Sequence, residues 1–475
     1  MLCKKFFYHY RLPRLTTEAI VILSKYTFTT ALSDESNKSL VVGNYLSGSM
    51  DILDPDEAKE FQEARLSKSW SDCLHTDYLK ERGYLFSSEQ EEQSLIQEKY
   101  FQFSEEYEKT GMQIIFAPSF ACNLACTYCY QEEYQNKESS LKREIVDAFF
   151  NYIGREFSSE PQKPYITLFG GEPLLKGREY KEGFIYFLQK AKELDYEVAI
   201  VTNGYELFHY IPEFLSLELK IREIQVTLDG NQDIHDSRRP THSGKGTFLQ
   251  IVEGIESALK HGYRINLRAI IDKENLVSLV DLANFCKERG WLNYPSDYFE
   301  TSIGRNYELH TCQPNSSLFT RAQMWQEYVK LASQYPVLKE FHKPQFHGIR
   351  TLFETSQLPE PAFDTCPAGK KEWAFDASGG IYACTASVGI EKYKLGSYLD
   401  PTSIVDQESI EKLKNRDVLS MEECKSCAVS LSCGGGCAIV ACNKTDNLLA
   451  PDCRPVADLV SLGLEYYNLT ETVNQ

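Results

Sequence analysis

The chain has 475 residues, 42% of them apolar and 25% charged, the balance of a soluble globular protein with room for about three domains. Its 50 basic residues stand against 68 acidic ones, a net charge of −18, which argues against a nucleic-acid binder because phosphate neutralisation needs a basic surplus. No run approaches the roughly 18 apolar residues of a membrane span. The apolar start of the chain is broken by His9 and Arg11 with no small-residue cleavage site after it, so the expected location is cytoplasmic.

Residues 1–110 read as a small α+β unit. Tyr26–Leu32, Ser39–Gly43 and Ser49–Leu53 have strand character, with turn residues between them. Asp54-Pro55-Asp56-Glu57 is a capping box that opens a helix from Pro55 to about Leu66, and polar helical sequence continues from Ser87 to Lys109. From Met112 the pattern changes. Met112–Ala117, Tyr165–Phe169, Glu197–Thr202, Glu223–Leu228 and Arg264–Ile270 are apolar runs of strand length. Helical stretches lie between and after them, at Leu141–Phe157, Gly183–Leu194 and Asn275–Arg289. The clearest carries Phe248, Ile251, Val252, Ile255, Ala258 and Leu259 on one face and ends at Gly262. Strands alternating with helices predict a parallel sheet, open or a partial barrel, with chemistry at the C-terminal strand ends. After about residue 310 the regularity fades into loop-like sequence such as Asp376-Ala-Ser-Gly-Gly380.

The fifteen cysteines are unevenly placed, with three in residues 122–129 and eight in 366–453. An odd count in a chain large enough to bury its own core argues against a disulfide framework and for metal or iron–sulfur ligands. Cys122-Asn-Leu-Ala-Cys126-Thr-Tyr-Cys129 follows directly on the first barrel-type strand. Three thiolates on a four-iron cubane leave one iron open, as a substrate-binding metal site does. A structural zinc knuckle is the plain alternative.

Cys-x-x-x-Cys-x-x-Cys, with Tyr128 before the last cysteine, resembles the signature of radical S-adenosylmethionine (SAM) enzymes. That resemblance implies a glycine-rich motif after the second strand, and Phe169-Gly170-Gly171-Glu172-Pro173 stands there. It further implies that Gly170, Gly171 and Glu172 hold the cofactor's amino group. Tyr128, Thr202, Asn203 and Thr227 would belong to the same cofactor site. Glycines permit close backbone approach and a carboxylate suits an ammonium. Arg268 and the pair Arg238-Arg239 are carboxylate partners or ordinary solvated arginines, with nothing to separate the readings.

Cys424-x2-Cys427-x5-Cys433-x3-Cys437, then Cys453, reads alone as zinc sites or cluster ligands. With Cys366 and the Gly379-x4-Cys384 element upstream, it resembles the SPASM extension of radical SAM enzymes. The resemblance implies an outer auxiliary cluster on Cys424, Cys427, Cys433 and Cys453 and an inner one on Cys366, Cys384 and Cys437, for three [4Fe-4S] clusters in all. Residues 367–383 hold no cysteine, so either the inner cluster has an open iron or Cys442 or Cys312 completes it. Cys3, Cys73 and Cys286 lack partners at ligand spacing and read as small hydrophobes.

The expected fold is therefore α/β: a partial (β/α)6 TIM-like barrel over 111–310, a small winged-helix-like α+β domain over 1–110, and a Cys-rich iron–sulfur domain over 311–475. The N-terminal unit resembles the leader-recognition element of enzymes that modify ribosomally made peptides, though a purely structural extension fits the same sequence. The resemblance implies a radical enzyme that takes hydrogen from a precursor peptide and closes a thioether or carbon–carbon crosslink. Its electron donor would be a flavodoxin or ferredoxin. The alternatives are a formylglycine-forming sulfatase-maturating enzyme and a non-catalytic peptide-binding or electron-transfer scaffold.

Overall fold

The computed structural model describes residues 21–31, 39–70, 75–131, 140–306, 317–400, 402 and 405–467. Strands β2 (Thr27–Ala31), β3 (Leu40–Asn44) and β4 (Ser49–Leu53) form an antiparallel meander, and the short β1 (Ile22–Leu23) pairs with β5 (Leu85–Phe86). The expected capping box starts the helix Pro55–Ser67: Asp54 accepts from the amides of Asp56 and Glu57, and the Glu57 side chain accepts from the Asp54 amide. A long helix, Glu89–Lys109, then leads to the barrel. The N-terminal unit has a small core of its own, built on Val42, Phe61, Trp70 and Tyr84, and it also contributes to a second one. Tyr26, Phe28, Val41 and Tyr45 join the core of the rest of the molecule. The Tyr45 hydroxyl donates to the carbonyl of His347 at 2.7 Å, and Tyr100 meets Phe363 edge-on.

Six strands follow in chain order, each parallel to the last: β6 (Gln113–Ala117), β7 (Tyr165–Leu168), β8 (Val198–Thr202), β9 (Ile221–Thr227), β10 (Ile265–Ile271) and β11 (Phe299–Arg305). Five fall on the predicted apolar runs. The sixth has no such run, because in Phe-Glu-Thr-Ser-Ile-Gly-Arg only Phe299 is fully buried. The helices cover the sheet with aromatic faces, and Phe116 stacks within 4.9 Å of Phe187. One helix, Arg178–Glu193, begins five residues before the expected Gly183. That glycine lies inside it because a Cβ there would stand 1.8 Å from the carbonyl of Leu141.

The Cys-rich region is continuous with the barrel sheet. β12 (Glu372–Asp376) lies parallel to β6 on its free side, and β13 (Gly380–Tyr382) and β14 (Gly396–Ser397) extend the sheet, leaving β11 and β14 as its edges. The loop-like 376–380 stretch is the tight turn between β12 and β13. Asp376 accepts from Ser378, Gly380 and Tyr382 there. Among the described residues no helix is long and apolar enough to cross a membrane.

Candidate functional site

The loops after β6, β7, β8 and β9 meet at the C-terminal edge of the sheet. The cysteine loop is held from below by the segment after β9: the Ala125 amide donates to the carbonyl of Pro240 at 2.8 Å and the Thr127 amide to that of Arg238 at 3.0 Å. Leu124 forms an isolated bridge with Thr241. From the β8 end, Asn203 Nδ2 reaches Asn123 at 2.8 Å and Cys122 Sγ at 3.6 Å. Cys122 and Cys126 are half-buried and Cys129 is exposed. Burial pushes the Cys122 thiol up to about 12, with the negative charge of Glu172 adding to it. Burial raises Cys126 as well, against the pull of Arg239.

The glycine pair makes its close approach to the chain itself. A Cβ at Gly171 would stand 2.3 Å from the carbonyl of Ala121, and one at Gly170 2.5 Å from that of Ser119. The Gly171 and Glu172 amides donate to those same carbonyls, those of Ser119 and Ala121, both at 2.9 Å. Glu172 is 1% exposed. Its carboxylate accepts from Thr202 Oγ1 at 2.6 Å and from the amides of Asn203 at 2.7 Å and Leu174 at 2.8 Å. Burial holds it up to about 7 in spite of these donors. Thr202, Asn203 and Thr227 are all buried at the same strand ends.

A buried charged network under the loop is the part that sequence reasoning left undecided. Arg238 and Arg239 are not solvated, being 6% and 8% exposed. Arg238 holds Asp272 with both terminal nitrogens, at 3.1 and 2.9 Å, and lies 4.8 Å from the centre of the Tyr128 ring. Arg239 donates to the Tyr128 hydroxyl at 2.6 Å, and that hydroxyl donates to Asp229. Asp229 is fully buried and accepts from the Ile270 amide at 2.9 Å. Tyr128 thus ties the cysteine loop to β9 and β10. The sequence signal was present in Thr227-Leu-Asp229-Gly and His235-Asp-Ser-Arg-Arg239, but charged residues in a local pattern read as surface.

The second cysteine region sorts into two sets. Cys424, buried and pushed up to about 12, feels Cys433, Cys427 and Cys453 after the effect of burial. Cys384, raised by burial, feels Cys366 and Cys437, and Cys437 feels Cys366. Cys442 is buried beside Tyr393, which also feels Cys384. Cys286 is buried in the core, while Cys3, Cys73 and Cys312 lie outside the described residues. Among the described residues, no three or more His, Cys, Asp or Glu side chains close around a single-ion position. The fit to a cluster lies in the donor chemistry: the region gathers thiols, and at Cys384, Cys424, Cys433 and Cys437 burial disfavours the free thiolate, whose proton bound iron would displace.

Residues 117–286 match the Radical SAM superfamily. The cysteine-type anaerobic sulfatase-maturating enzyme of Clostridium perfringens is 24% identical over 357 residues, which is 71% of this chain and 91% of that enzyme. A solved structure of native anSMEcpe with bound AdoMet and Kp18Cys peptide shares the fold with a TM-score of 0.58, at 20% identity over 77% of this chain and 99% of that one. Streptococcus suis SuiB bound to precursor peptide SuiA superposes with a TM-score of 0.50, at 13% identity over 92% of this chain and 99% of that one. That family binds a [4Fe-4S] cluster and S-adenosylmethionine. Motif, fold and relatives agree: this chain is an enzyme that carries a radical SAM domain over residues 117–286.

Proposed function

We propose that the protein is a peptide maturase that acts on a ribosomally made precursor, forming a thioether or carbon–carbon crosslink, with three [4Fe-4S] clusters. The observation that carries this reading is the N-terminal unit. The solved anSMEcpe structure covers 77% of this chain, whereas the precursor-bound SuiB structure covers 92% of it. A strand meander followed by helices, packed against the Cys-rich region, is a shape that receives an extended peptide as an added strand. On this reading the meander binds a leader, and a flavodoxin or ferredoxin supplies electrons.

Cys122, Cys126 and Cys129 would hold the first cluster. When bound, that group supplies an electron to S-adenosylmethionine and so generates the 5′-deoxyadenosyl radical. The chain's own residues bind, orient and shield. Three donors already occupy three of the roughly four acceptor positions of Glu172, leaving one for the cofactor's ammonium. Two of these bonds hold Thr202 and Asn203 in place at the end of β8, where with Thr227 they would meet the cofactor. Gly170 and Gly171 let this loop close onto Ser119–Ala121, and Tyr128 anchors the cysteine loop from beneath.

The test is anaerobic reconstitution of the full chain followed by assays of 5′-deoxyadenosine release and of peptide mass. Short peptides encoded beside the gene and a Cys-containing sulfatase peptide are compared. A loss of two hydrogens with crosslinking in the former supports the proposal. Formylglycine in the latter, with no change in the former, replaces it with the sulfatase-maturating reading, which the named Clostridium perfringens relative favours.

A further inference from the structure

The junction between the two C-terminal cysteine sets is built around one arginine. Arg416 is 1% exposed. Its Nε donates to the carbonyl of Leu448 at 3.1 Å and Nη1 to that of Gly436 at 3.1 Å. Nη2 donates to Gly435 at 2.8 Å and to Ala450 at 3.0 Å. These carbonyls lie on two arms, the Gly434-Gly435-Gly436 strap that joins Cys433 to Cys437 and the segment that leads to Cys453.

The strap cannot move far. Its three glycines have φ of 57°, 76° and 66°, the left-handed region that side chains disfavour. A Cβ at Gly435 would stand 2.1 Å from Met421 Cε, and one at Gly436 2.3 Å from the carbonyl of Asp452. The strap is also bonded to the residues flanking the other cysteines. The Thr365 amide donates to the carbonyl of Gly434 at 3.2 Å and Thr365 Oγ1 to that of Cys433 at 3.1 Å, while the Asp452 amide donates to that of Gly435 at 2.9 Å. One guanidinium thereby braces backbone next to Cys433, Cys437 and Cys453 and, through the strap, next to Cys366.

Its charge is under-compensated by protein groups. The nearest carboxylate, Asp364, is 4.0 Å away and is shared with Lys370, which itself donates to the Arg416 carbonyl at 2.7 Å. A buried cation excess is unfavourable unless anions complete it, and thiolate-ligated clusters held by the two cysteine sets would be such anions.

We propose that Arg416 is a positioning residue that sets the relative placement and the reduction potentials of both auxiliary clusters together. The proposal rests on reading Cys366, Cys384 and Cys437, and Cys424, Cys427, Cys433 and Cys453, as two ligand sets.

The experiment uses the reconstituted full chain, with Arg416→Gln and Arg416→Lys compared by iron content, EPR spectra and redox titration. Removing the charge favours the less negative, oxidised form of a nearby cluster. Arg416→Gln is expected to move both auxiliary midpoints negative by a tenfold change in the oxidised-to-reduced ratio, about 59 mV for one electron. The first cluster's midpoint stays in place, and Arg416→Lys recovers most of the shift. Unchanged auxiliary midpoints, or a shift in one auxiliary cluster alone, overturns the proposal. If the Gln variant does not fold, Arg416→Lys decides: an ammonium cannot reach four carbonyls on two arms, so both auxiliary EPR signals change together, and unchanged signals overturn the role. Wild-type protein that holds only about four irons instead ends the two-set reading, a different failure from that of Arg416.

Discussion

The two cysteine regions solve one problem in opposite ways. The first places three thiols within eight residues on a single loop at the sheet edge, with Cys129 exposed. The second gathers thiols from residues 366–453, with Cys366, Cys384, Cys424, Cys433 and Cys442 buried, Cys427 and Cys437 half-buried and Cys453 exposed. Their supports differ as well. Beneath the first loop, main-chain bonds from Ala125 and Thr127 are joined by a charged side-chain network of Tyr128, Asp229, Arg238, Arg239 and Asp272. In the second region a single guanidinium, that of Arg416, grips four main-chain carbonyls around a glycine strap. On the proposed reading, an open loop with its rigidity supplied from underneath suits a site that would admit a cofactor and substrate, and a more enclosed arrangement suits sites that would hold clusters alone.

The largest expected effect separates the regions outright. Replacing Cys122, Cys126 and Cys129 together by Ala is expected to abolish cleavage of S-adenosylmethionine and to leave about eight of about twelve irons in place. Cleavage that persists in this variant would show that the first loop is not the catalytic one. A pair of glycine substitutions sharpens the contrast. Gly171→Ala puts a methyl 2.3 Å from the Ala121 carbonyl and Gly436→Ala puts one 2.3 Å from the Asp452 carbonyl. The former is expected to deplete the first cluster alone and the latter the auxiliary ones alone, as read by iron content and EPR. Equal loss at both places would mean that the regions are not independent.

Next in size is the network beneath the first loop. Asp272→Ala leaves Arg238 buried beside its vacated partner, and losing one member of a buried pair typically costs about 3–5 kcal/mol. Urea unfolding of the apoprotein measures this, and a change below about 1 kcal/mol would show the pair to be solvated in practice. Glu172→Gln acts more gently. Loss of the charge-assisted acceptor weakens S-adenosylmethionine binding by roughly 1.5–3 kcal/mol, measured by equilibrium binding to reconstituted protein. Unchanged affinity would confine Glu172 to bracing Thr202 and Asn203. The smallest effect is expected at Cys442. If the inner set keeps an open iron, Cys442→Ala leaves iron content and spectra as they are. Loss of about one cluster's iron would make Cys442 the fourth ligand.

What could be read in advance follows the range of the interactions involved. The Cys122–Cys129 spacing, the capping box at Asp54, the amphipathic face from Phe248 to Leu259 and five barrel strands all depend on residues a few positions apart. Local spacing and periodicity therefore determined them. Tertiary structure alone decided the rest. β11 carries no apolar run because most of its side chains are only half-buried. β12 became a barrel neighbour through pairing with β6, more than 250 residues away in the chain. The N-terminal meander lends Tyr26 and Phe28 to a shared core, which a strand-and-turn pattern cannot announce. Arg238, Arg239 and Arg416 look like surface charges in the sequence and are buried in the fold. Each is kept there by acceptors that only folding brings near: Asp272 and Tyr128 for the first two, and the carbonyls of 435, 436, 448 and 450 for the third. A lone charged residue carries no local mark of its distant partner, and it is the partner that makes burial affordable.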